Sequence, residues 1–185
     1  MIRNTTKQFI LAAAALVLGG CASYSITEQD MTKYLQDSVS LEQSVGVENV
    51  MYAQVAVDDL EVKIGRADAD RVSVFASTNA QVQMLSMQNM GLDLDVEFSA
   101  IPEYDKESGE VYLKSLRLEN FSDGKQQLPP EVKKLLKPAV SMIGYALSQQ
   151  PVYKLDSSKV QEALIKSAEP NLVIKNNKLV IELLN

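Results

Sequence analysis

The chain has 185 residues, one cysteine and no histidine or tryptophan, and its 24 Asp and Glu against 18 Lys and Arg give a formal net charge of −6. The missing histidine excludes catalytic triads, Cys-His dyads and histidine-based zinc sites, and a single cysteine excludes a disulfide within the chain. Because phosphate binding draws on clustered Lys and Arg, the acidic balance predicts no nucleic acid partner, while a hydrophobic content of 46% is enough for a buried core.

The N-terminus has the pattern of a secretory signal peptide. Arg3 and Lys7 form a basic stretch, residues 9–18 form an apolar run, and two glycines precede Cys21. The run is about half of the roughly 20 apolar residues that a membrane-spanning helix needs. Residues 18–21, Leu-Gly-Gly-Cys, resemble the lipobox, the Leu-small-small-Cys pattern that lipoprotein signal peptidase reads.

Cys21 is the predicted lipid attachment point. Cleavage before it removes residues 1–20 and leaves residues 21–185, whose length fits a single domain. After cleavage, the thiol of Cys21 would carry a thioether-linked lipid and its free amine would carry an acyl group. Together they supply more than one hydrocarbon chain, which is enough for stable anchoring. Ala22 stands where an aspartate would, by resemblance to enteric lipoprotein sorting, retain the protein in the inner membrane. We therefore expect the periplasmic face of the outer membrane. The alternative is a plain signal peptide with a different cut, in which Cys21 is an ordinary small residue.

A helix is predicted over residues 28–38, directly after the anchor. Thr27 is a good N-cap, and Glu28 and Asp30 place negative charge in the first turn. Apolar residues then recur at helical spacing on one face.

From Val50 the period changes to that of extended strands. The first run changes phase at Asp58-Asp59, which predicts a β-bulge or a sharp bend. Residues 65–70 predict a turn, and residues 72–84 alternate as one long strand.

The alternation continues beyond a predicted connection at residues 87–90. A strand covers residues 92–100 and is expected to end at Pro102. Residues 111–121 resume extended structure, with another change of phase within 113–116. The successive strands predict an antiparallel meander with one polar face.

The strongest helical pattern of the chain begins at Pro129-Pro130-Glu131 and closes at Gln149-Gln150-Pro151. Pro138 lies inside it, and because proline removes one backbone bond and clashes with the previous turn, we expect a kink there. Since a sheet with one polar face must cover the other face, the elements predict an α+β fold. The kinked helix would suit a curved sheet.

The C-terminal part predicts short elements. Residues 152–155 are extended, a short helix runs to Ser167, and a hairpin joins residues 172–175 and 178–184 around Asn176-Asn177. Asparagine tolerates the positive φ of a tight hairpin turn.

Two sets of apolar residues are candidates for a ligand groove between sheet and helix. Met84, Met87 and Met90 form a dense cluster, and methionine adapts to irregular apolar partners, so we place them near the mouth. The helix wall would consist of Val132, Leu135, Leu136, Val140, Ile143 and Leu147. Taken one by one, these residues could also be plain core, and a copper(I) thioether site is a further alternative for the methionines.

The charged clusters are interpreted as solvated surfaces. Asp93, Asp95 and Glu97 share one face of a strand, because residues i, i+2 and i+4 point the same way. The lysines within 133–137 stand at helical spacing and could also lean toward lipid headgroups. We predict no metal site, no cofactor and no catalytic centre.

Three blocks carry a resemblance to a known family. They are residues 24–29 (Tyr-Ser-Ile-Thr-Glu-Gln), residues 104–114 (Tyr-Asp-Lys-Glu-Ser-Gly-Glu-Val-Tyr-Leu-Lys) and residues 149–155 (Gln-Gln-Pro-Val-Tyr-Lys-Leu). In this order the chain resembles the YceB-type lipoproteins of Gram-negative bacteria over nearly all of its mature part. The resemblance implies a domain of unknown function whose fold is similar to the tubular lipid-binding (TULIP) domains. In those domains a strongly curved antiparallel sheet wraps a long helix, and apolar ligands lie in the groove. The resemblance therefore implies for this chain an α+β fold in which a long, strongly curved antiparallel sheet wraps around a long kinked helix.

Two functional hypotheses follow. The first is an outer-membrane lipoprotein that binds lipid or another apolar molecule between sheet and helix. The second is a tethered interaction or structural module with a filled core, which docks envelope proteins through its acidic sheet face. An enzyme is disfavoured, because no nucleophile or base constellation is present. The expected partners are therefore the membrane through the anchor, a lipid ligand and an envelope protein.

Overall fold

The computed structural model describes residues 23–85, 87–123, 128–159, 162–163 and 170–183, so that Cys21 and the signal peptide lie outside the described residues. The elements in chain order are β1 (Ser23–Thr27), α1 (Glu28–Ser38), β2 (Glu42–Val47), β3 (Met51–Ile64), β4 (Val72–Met84), β5 (Met87–Asp105), β6 (Glu110–Asp123), α2 (Pro130–Ser148), β7 (Pro151–Lys154), β8 (Pro170–Lys175) and β9 (Lys178–Leu183).

The strands form two antiparallel sheets. Six strands follow one another in the order β2-β3-β4-β5-β6-β7, which confirms the predicted meander, and a smaller sheet has the order β1-β9-β8. The larger sheet curls into a half-barrel. Helix α2 packs against β2, β3 and β6, while α1 packs against β3 and β7. The α+β class predicted from the sequence is therefore confirmed. The likeness to tubular lipid-binding domains stays a prediction.

Helix α1 has the bounds that the sequence predicts. The Thr27 hydroxyl accepts a hydrogen bond from the Asp30 N–H at 3.1 Å, and the Asp30 carboxylate accepts one from the Thr27 N–H at 2.9 Å. This reciprocal capping box satisfies two N–H groups that the first turn would otherwise leave open. Met31 and Leu35 are fully buried, so that one face of the helix belongs to the core.

Glu28 fastens the start of α1 to the end of β3. Its Oε1 accepts from the Ile64 N–H at 2.8 Å, and its two carboxylate oxygens accept from the Arg66 guanidinium at 2.7 Å each. The hydrogen bond from Arg66 holds the pKa of Glu28 below its usual value. The helix position is thus fixed by a bidentate charged contact as well as by its apolar face.

Both predicted changes of phase are irregularities of the strand pairing. The register of β3 against β4 shifts between Val57 and Asp59, as the sequence indicates. In β6 the register shifts opposite Ser99 and Ile101, where Ser115 has a φ of +51°. Because a bulge bends its strand and increases the local twist, these sites favour curvature of the sheet.

Arg71 is a buried residue that bridges β5 and β6 at this bulge. Its Nε donates to Ser99 Oγ at 2.9 Å, and its Nη2 donates to the Ser99 carbonyl at 3.0 Å and to the Ser115 carbonyl at 2.9 Å. Ser99 Oγ in turn donates to a Glu119 carboxylate oxygen. The guanidinium therefore satisfies backbone carbonyls where the ladder between the strands is broken.

Two boundary predictions for β5 are wrong. Residues 87–90 are the start of the strand and not a connection, since Met87 pairs with Met84 and Met90 with Val82. The strand also continues past Pro102 to Asp105. Its pairing with β4 ends at Ala100, so that beyond this point β6 is its only neighbour among the described strands of the sheet. Proline is tolerated on such an edge, because its missing N–H is not needed by a second strand.

Strands β1 and β2 are not predicted by the sequence pattern. Strand β1 has five residues and pairs with β9, and β2 has six residues and pairs with β3. Both are short, and β2 is largely exposed with a glycine at position 46, so neither carries a clear apolar alternation.

Helix α2 and the final hairpin lie where they are predicted. Pro138 lies inside α2, and the bend expected there stays a prediction. Asn176 and Asn177 have φ values of +52° and +57°, as a tight turn between β8 and β9 requires. Of the short helix expected to run to Ser167, residues 162–163 are helical, residues 157–159 form a turn, and residues 160–161 and 164–167 lie outside the described residues.

One face of α2 packs closely against the sheet. Gly144 permits the closest approach, because a Cβ there would stand 2.7 Å from Cε1 of Phe98. Neither helix in the described ranges is long and apolar enough to cross a membrane. The buried apolar residues of α2, each at most 2% exposed, are Val132, Leu136, Ala139, Val140, Ile143 and Leu147.

The bridge made by Arg71 predicts a stability effect. Replacing Arg71 with methionine keeps the aliphatic stem but leaves the Ser99 and Ser115 carbonyls without their donor. We expect the free energy of unfolding to fall by about 2–4 kcal/mol, measured by urea denaturation. Arg117→Met is the matched control, because Arg117 is an exposed arginine of β6, one of the two strands that Arg71 bridges. Equal unfolding free energies for the two variants would contradict the bridging role.

Candidate functional site

An apolar groove of about 450 Å³ lies where the β2–β3 and β4–β5 hairpins turn, against the first half of α2. This volume is within the range of about 300–1,000 Å³ that is typical of small-molecule pockets. Its lining residues are Val45, Gly46, Met51, Met84, Glu131, Lys134, Leu135 and Pro138.

Gly46 lets the β2–β3 hairpin form one wall of the groove. Its φ is +93°, and a Cβ at this position would stand 2.0 Å from the Met51 carbonyl oxygen. No other residue fits this backbone without displacing β3. Asn49 then turns the chain with a φ of +63°, and the Val50 N–H donates to the Val47 carbonyl at 3.1 Å.

The floor of the groove contains a pair of methionines from adjacent strands. Met51, the first residue of β3, pairs with Met84, the last residue of β4. The Leu85 N–H donates to the Val50 carbonyl at 3.2 Å, which ties the two hairpins together. Methionine side chains adapt to apolar partners of irregular shape, so this floor suits a flexible apolar ligand.

Helix α2 supplies the opposite wall. Leu135 and Pro138 are one turn apart and contribute its apolar part, while Glu131 and Lys134 contribute the charged part. Proline has no N–H, so the Lys134 carbonyl lacks the donor that residue 138 of a regular helix would provide. The wall therefore combines an apolar surface, one carboxylate, one ammonium group and a backbone acceptor.

Large apolar side chains are exposed around the same end of the molecule. Leu85 is 80% exposed and Val47 is 65% exposed, and Val50 and Met51 are about half exposed. Single exposed apolar residues are ordinary, but a group of them beside an open apolar groove is typical of a binding surface.

The structure brings only part of the predicted groove lining together. Met84 and Leu135 line the groove, whereas Met90 pairs with Val82 outside the lining, and the side chain of Met87 lies outside the described part. The other predicted helix-wall residues are core residues that do not line this groove: Val132, Leu136, Val140, Ile143 and Leu147.

Several lining residues were not predicted as site residues. Val45 and Gly46 lie on the strand that the sequence analysis missed, and Met51 lies at the boundary of β3. For Pro138, the sequence predicts only a kink of the helix and no contact with a ligand. The helix part of the lining could have been predicted from the spacing of residues 131, 134, 135 and 138, which places them on one side of the helix.

Two further hollows differ in chemistry from the groove. One of about 320 Å³ lies between β6 and the end of α2, beside Lys114 and Tyr145. The other, of about 390 Å³, lies on the sheet face around Phe75, which is 38% exposed. Its carboxylates belong to Asp59, Glu61, Asp95 and Glu97. Within the described ranges, no group of three acidic residues lies close enough together to hold a metal ion.

A hydrogen-bonded network lies near the start of the described chain. The Tyr24 hydroxyl donates to Glu162 Oε1 at 2.9 Å and lies 2.6 Å from the Tyr153 hydroxyl, and Lys159 Nζ lies 3.0 Å from the same carboxylate oxygen. Burial raises the pKa of both tyrosines, and the acceptor Glu162 is 1% exposed. The two tyrosines connect β1 with β7, and their hydroxyls stay protonated at neutral pH, which suits a structural role.

Glu110 is the centre of a second set of polar contacts on the neighbouring part of β6 and β7. Lys154 donates to it at 2.8 Å and lowers the pKa of the Glu110 carboxyl. Tyr112 also donates to Glu110, at 2.7 Å, and this bond raises the pKa of Tyr112 to about 12.

The groove and the start of the described chain lie at opposite ends of the long strands. Tyr24 contacts Tyr153, which pairs with Val111, and Val111 pairs with Tyr104 at the far end of β5. The groove lies beside the other end of β5, where Met87 pairs with its lining residue Met84. Strand β5 has 19 residues, so about 60 Å of strand contour separates the two ends.

Gly46 is the residue on which the groove wall depends. Gly46→Ala places a Cβ against the Met51 carbonyl in a left-handed conformation, so we expect a loss of about 1–3 kcal/mol in the free energy of unfolding. Thermal denaturation followed by circular dichroism measures it. Gly91→Ala is the control, because a Cβ at Gly91 makes only an ordinary contact of 3.4 Å. A smaller loss for Gly46→Ala than for Gly91→Ala would contradict this assignment.

Comparison with known proteins places the chain in one family. The family described as "Protein of unknown function (DUF1439)" matches residues 26–178. A protein of Escherichia coli (strain K12), named uncharacterized lipoprotein YceB, is 25% identical over 182 residues, which cover 95% of this chain and 97% of that protein. The protein of the same name in Salmonella typhimurium is 27% identical over 188 residues, which cover 97% of this chain and 100% of that protein. These names agree with the lipobox that ends at Cys21, and they indicate a membrane-anchored envelope lipoprotein. The chain therefore belongs to the DUF1439 family.

Proposed function

We propose that this lipoprotein binds one apolar chain of a lipid or similar molecule in the groove formed by β2, β3, β4 and α2. It acts without catalysis, as a binding protein held at the membrane by the lipid on Cys21. The observation that carries the proposal is that an open, mainly apolar groove lies between sheet and helix, whereas the predicted helix-wall residues other than Leu135 are buried in the core.

The filled interface limits where a ligand can lie. Five of the six predicted helix-wall residues are buried to 98% or more by the protein itself, as their exposures of 0–2% indicate. A ligand between them and the sheet would have to displace packed side chains, at a cost comparable with that of repacking a core. Binding at the hairpin end needs no such change, because Met51, Met84 and Leu135 already line an open space.

Apolar burial supplies the affinity in this proposal. Each Å² of apolar surface removed from water contributes about 25 cal/mol before the costs of association. The groove volume of about 450 Å³ lies toward the lower end of ligand pockets, so it suits one chain and not a two-chain lipid as a whole.

The lipid anchor would hold the folded part close to the bilayer. Cys21 precedes the first described residue, Ser23, by two positions, and two residues reach at most about 7 Å. Ala22 supports sorting to the outer membrane, where the domain would face the periplasm.

An envelope-protein partner is a second candidate. The hollow around Phe75 combines an exposed aromatic ring with the carboxylates of Asp59, Glu61, Asp95 and Glu97, and aromatic residues are enriched in protein interfaces. A partner with a basic surface would suit it. Reproducible crosslinking through this face, lost in Phe75→Ser, would support this second function.

The groove proposal predicts a specific binding defect. Met84→Glu places a carboxylate in the apolar floor, which should weaken uptake of a fluorescent fatty-acyl probe at least about tenfold, because an apolar site disfavours a charge. Met142→Glu is the control, since Met142 is an exposed methionine of α2 outside the groove. Fluorescence titration measures both. Absence of uptake by the unaltered protein, or equal uptake by Met84→Glu, would refute the proposal.

The proposed location predicts an effect of residue 22. Ala22→Asp should move the protein from the outer-membrane to the inner-membrane fraction in a density gradient, without changing its thermal denaturation, because residue 22 precedes β1. Ala22→Ser is the control and should stay with the outer membrane. Recovery of the unaltered protein in the inner-membrane fraction would exclude the outer-membrane location.

A further inference from the structure

Two side chains of opposite charge border the apolar lining of the groove. Glu131 and Lys134 lie three residues apart on α2, so their Cβ atoms are about 5–6 Å apart on one side of the helix. Both are exposed, and neither makes an ion pair with the other or with another described residue. The groove thus offers one positive and one negative group beside a single apolar surface.

A third polar group, the Lys134 carbonyl, lies one turn before Pro138 on the same helix. The Lys134 carbonyl lacks the donor that residue 138 would provide in a regular helix, because Pro138 has no N–H. This carbonyl and the Glu131 carboxylate are both acceptors, and the Lys134 ammonium is a donor. An amine of a ligand can therefore bind on the Glu131 side, and an oxyanion can bind on the Lys134 side.

These groups discriminate between classes of amphiphile. A purely anionic head would bind the Lys134 ammonium but would be repelled by the Glu131 carboxylate. A neutral head would form no ionic contact with either residue. A head that carries a phosphate and an amine a few ångströms apart satisfies both charges at once. Lys137 is also exposed on α2, but it lies outside the lining.

We propose that the groove selects a single-chain amphiphile with a zwitterionic phosphate–amine head, whose acyl chain contacts Met51, Met84 and Leu135 and whose head contacts Glu131 and Lys134. This inference rests on the proposed function, because it assigns a ligand class to the same groove. It adds that the headgroup is read by one turn of α2.

The test compares three probes that differ only in the head. Lysophosphatidylethanolamine is zwitterionic, lysophosphatidylglycerol is anionic and monoacylglycerol is neutral, and all carry the same photoactivatable acyl chain. The lipidated full-length protein in nanodiscs of one diacyl lipid is irradiated with each probe below its micelle concentration. Mass spectrometry then measures the crosslinking yield on peptides that contain Met51, Met84 or Leu135.

We expect the zwitterionic probe to reach half-saturation at a concentration two- to fivefold lower than that of the other two probes. Exposed charge contacts typically change affinity by about this factor. Lys134→Gln should remove the preference over the neutral probe. Glu131→Gln should make the anionic probe bind at least as well as the zwitterionic one. Lys137→Gln, the control on the same helix, should leave the order of the probes unchanged.

Two kinds of failure are distinguishable. Equal half-saturation of the three probes, or tightest binding of the anionic probe, overturns the head-selection inference and leaves the groove as an apolar-chain site. Absence of crosslinks to the groove peptides for every probe, including the neutral one, overturns the proposed function and this inference with it.

Discussion

A buried charge at a broken ladder stabilises one of the irregularities of the larger sheet. Strands β5 and β6 lose their regular register near Ser99 and Ser115, which would leave the carbonyls of these two residues without a strand donor. Arg71 donates to both carbonyls, so a bulge that would otherwise be costly becomes a stable bend. A sheet bent in this way can pack against α2 through β2, β3 and β6, although these strands lie at different positions across it.

Much of the fold could be predicted from the sequence, because local rules decided it. Alternation of apolar residues located β3, β4 and β6, and the reciprocal cap at Thr27 fixed the start of α1. Phase changes revealed the bulges, since the side-chain period of a strand is two. The predicted end of β5 at Pro102 is wrong. Whether a proline ends a strand depends on the neighbouring strands, and the local sequence does not identify them.

The candidate site was less predictable, because burial is a property of the assembled chain. Leu135 and Leu136 are adjacent and equally apolar, yet Leu136 is fully buried in the core while Leu135 lines the groove. The difference arises from about 100° of rotation along the helix and from the position of β2. Strand β2 depends on Gly46, and the positive φ of this glycine cannot be predicted from a short segment of mixed polarity.

In the proposed function, the separation of anchor and groove would determine which molecules can exchange with the site. With a lipid on Cys21, a tether of two residues would leave the domain little freedom to move away from the bilayer, and the groove opens about 60 Å of strand contour from the start of the described chain. With its strands upright, the protein would hold the groove above the headgroups of its own bilayer, beyond the reach of lipids resident there. Its exchange partners would then be carriers that diffuse past, and the rate of exchange would follow the concentration of those carriers in the aqueous layer.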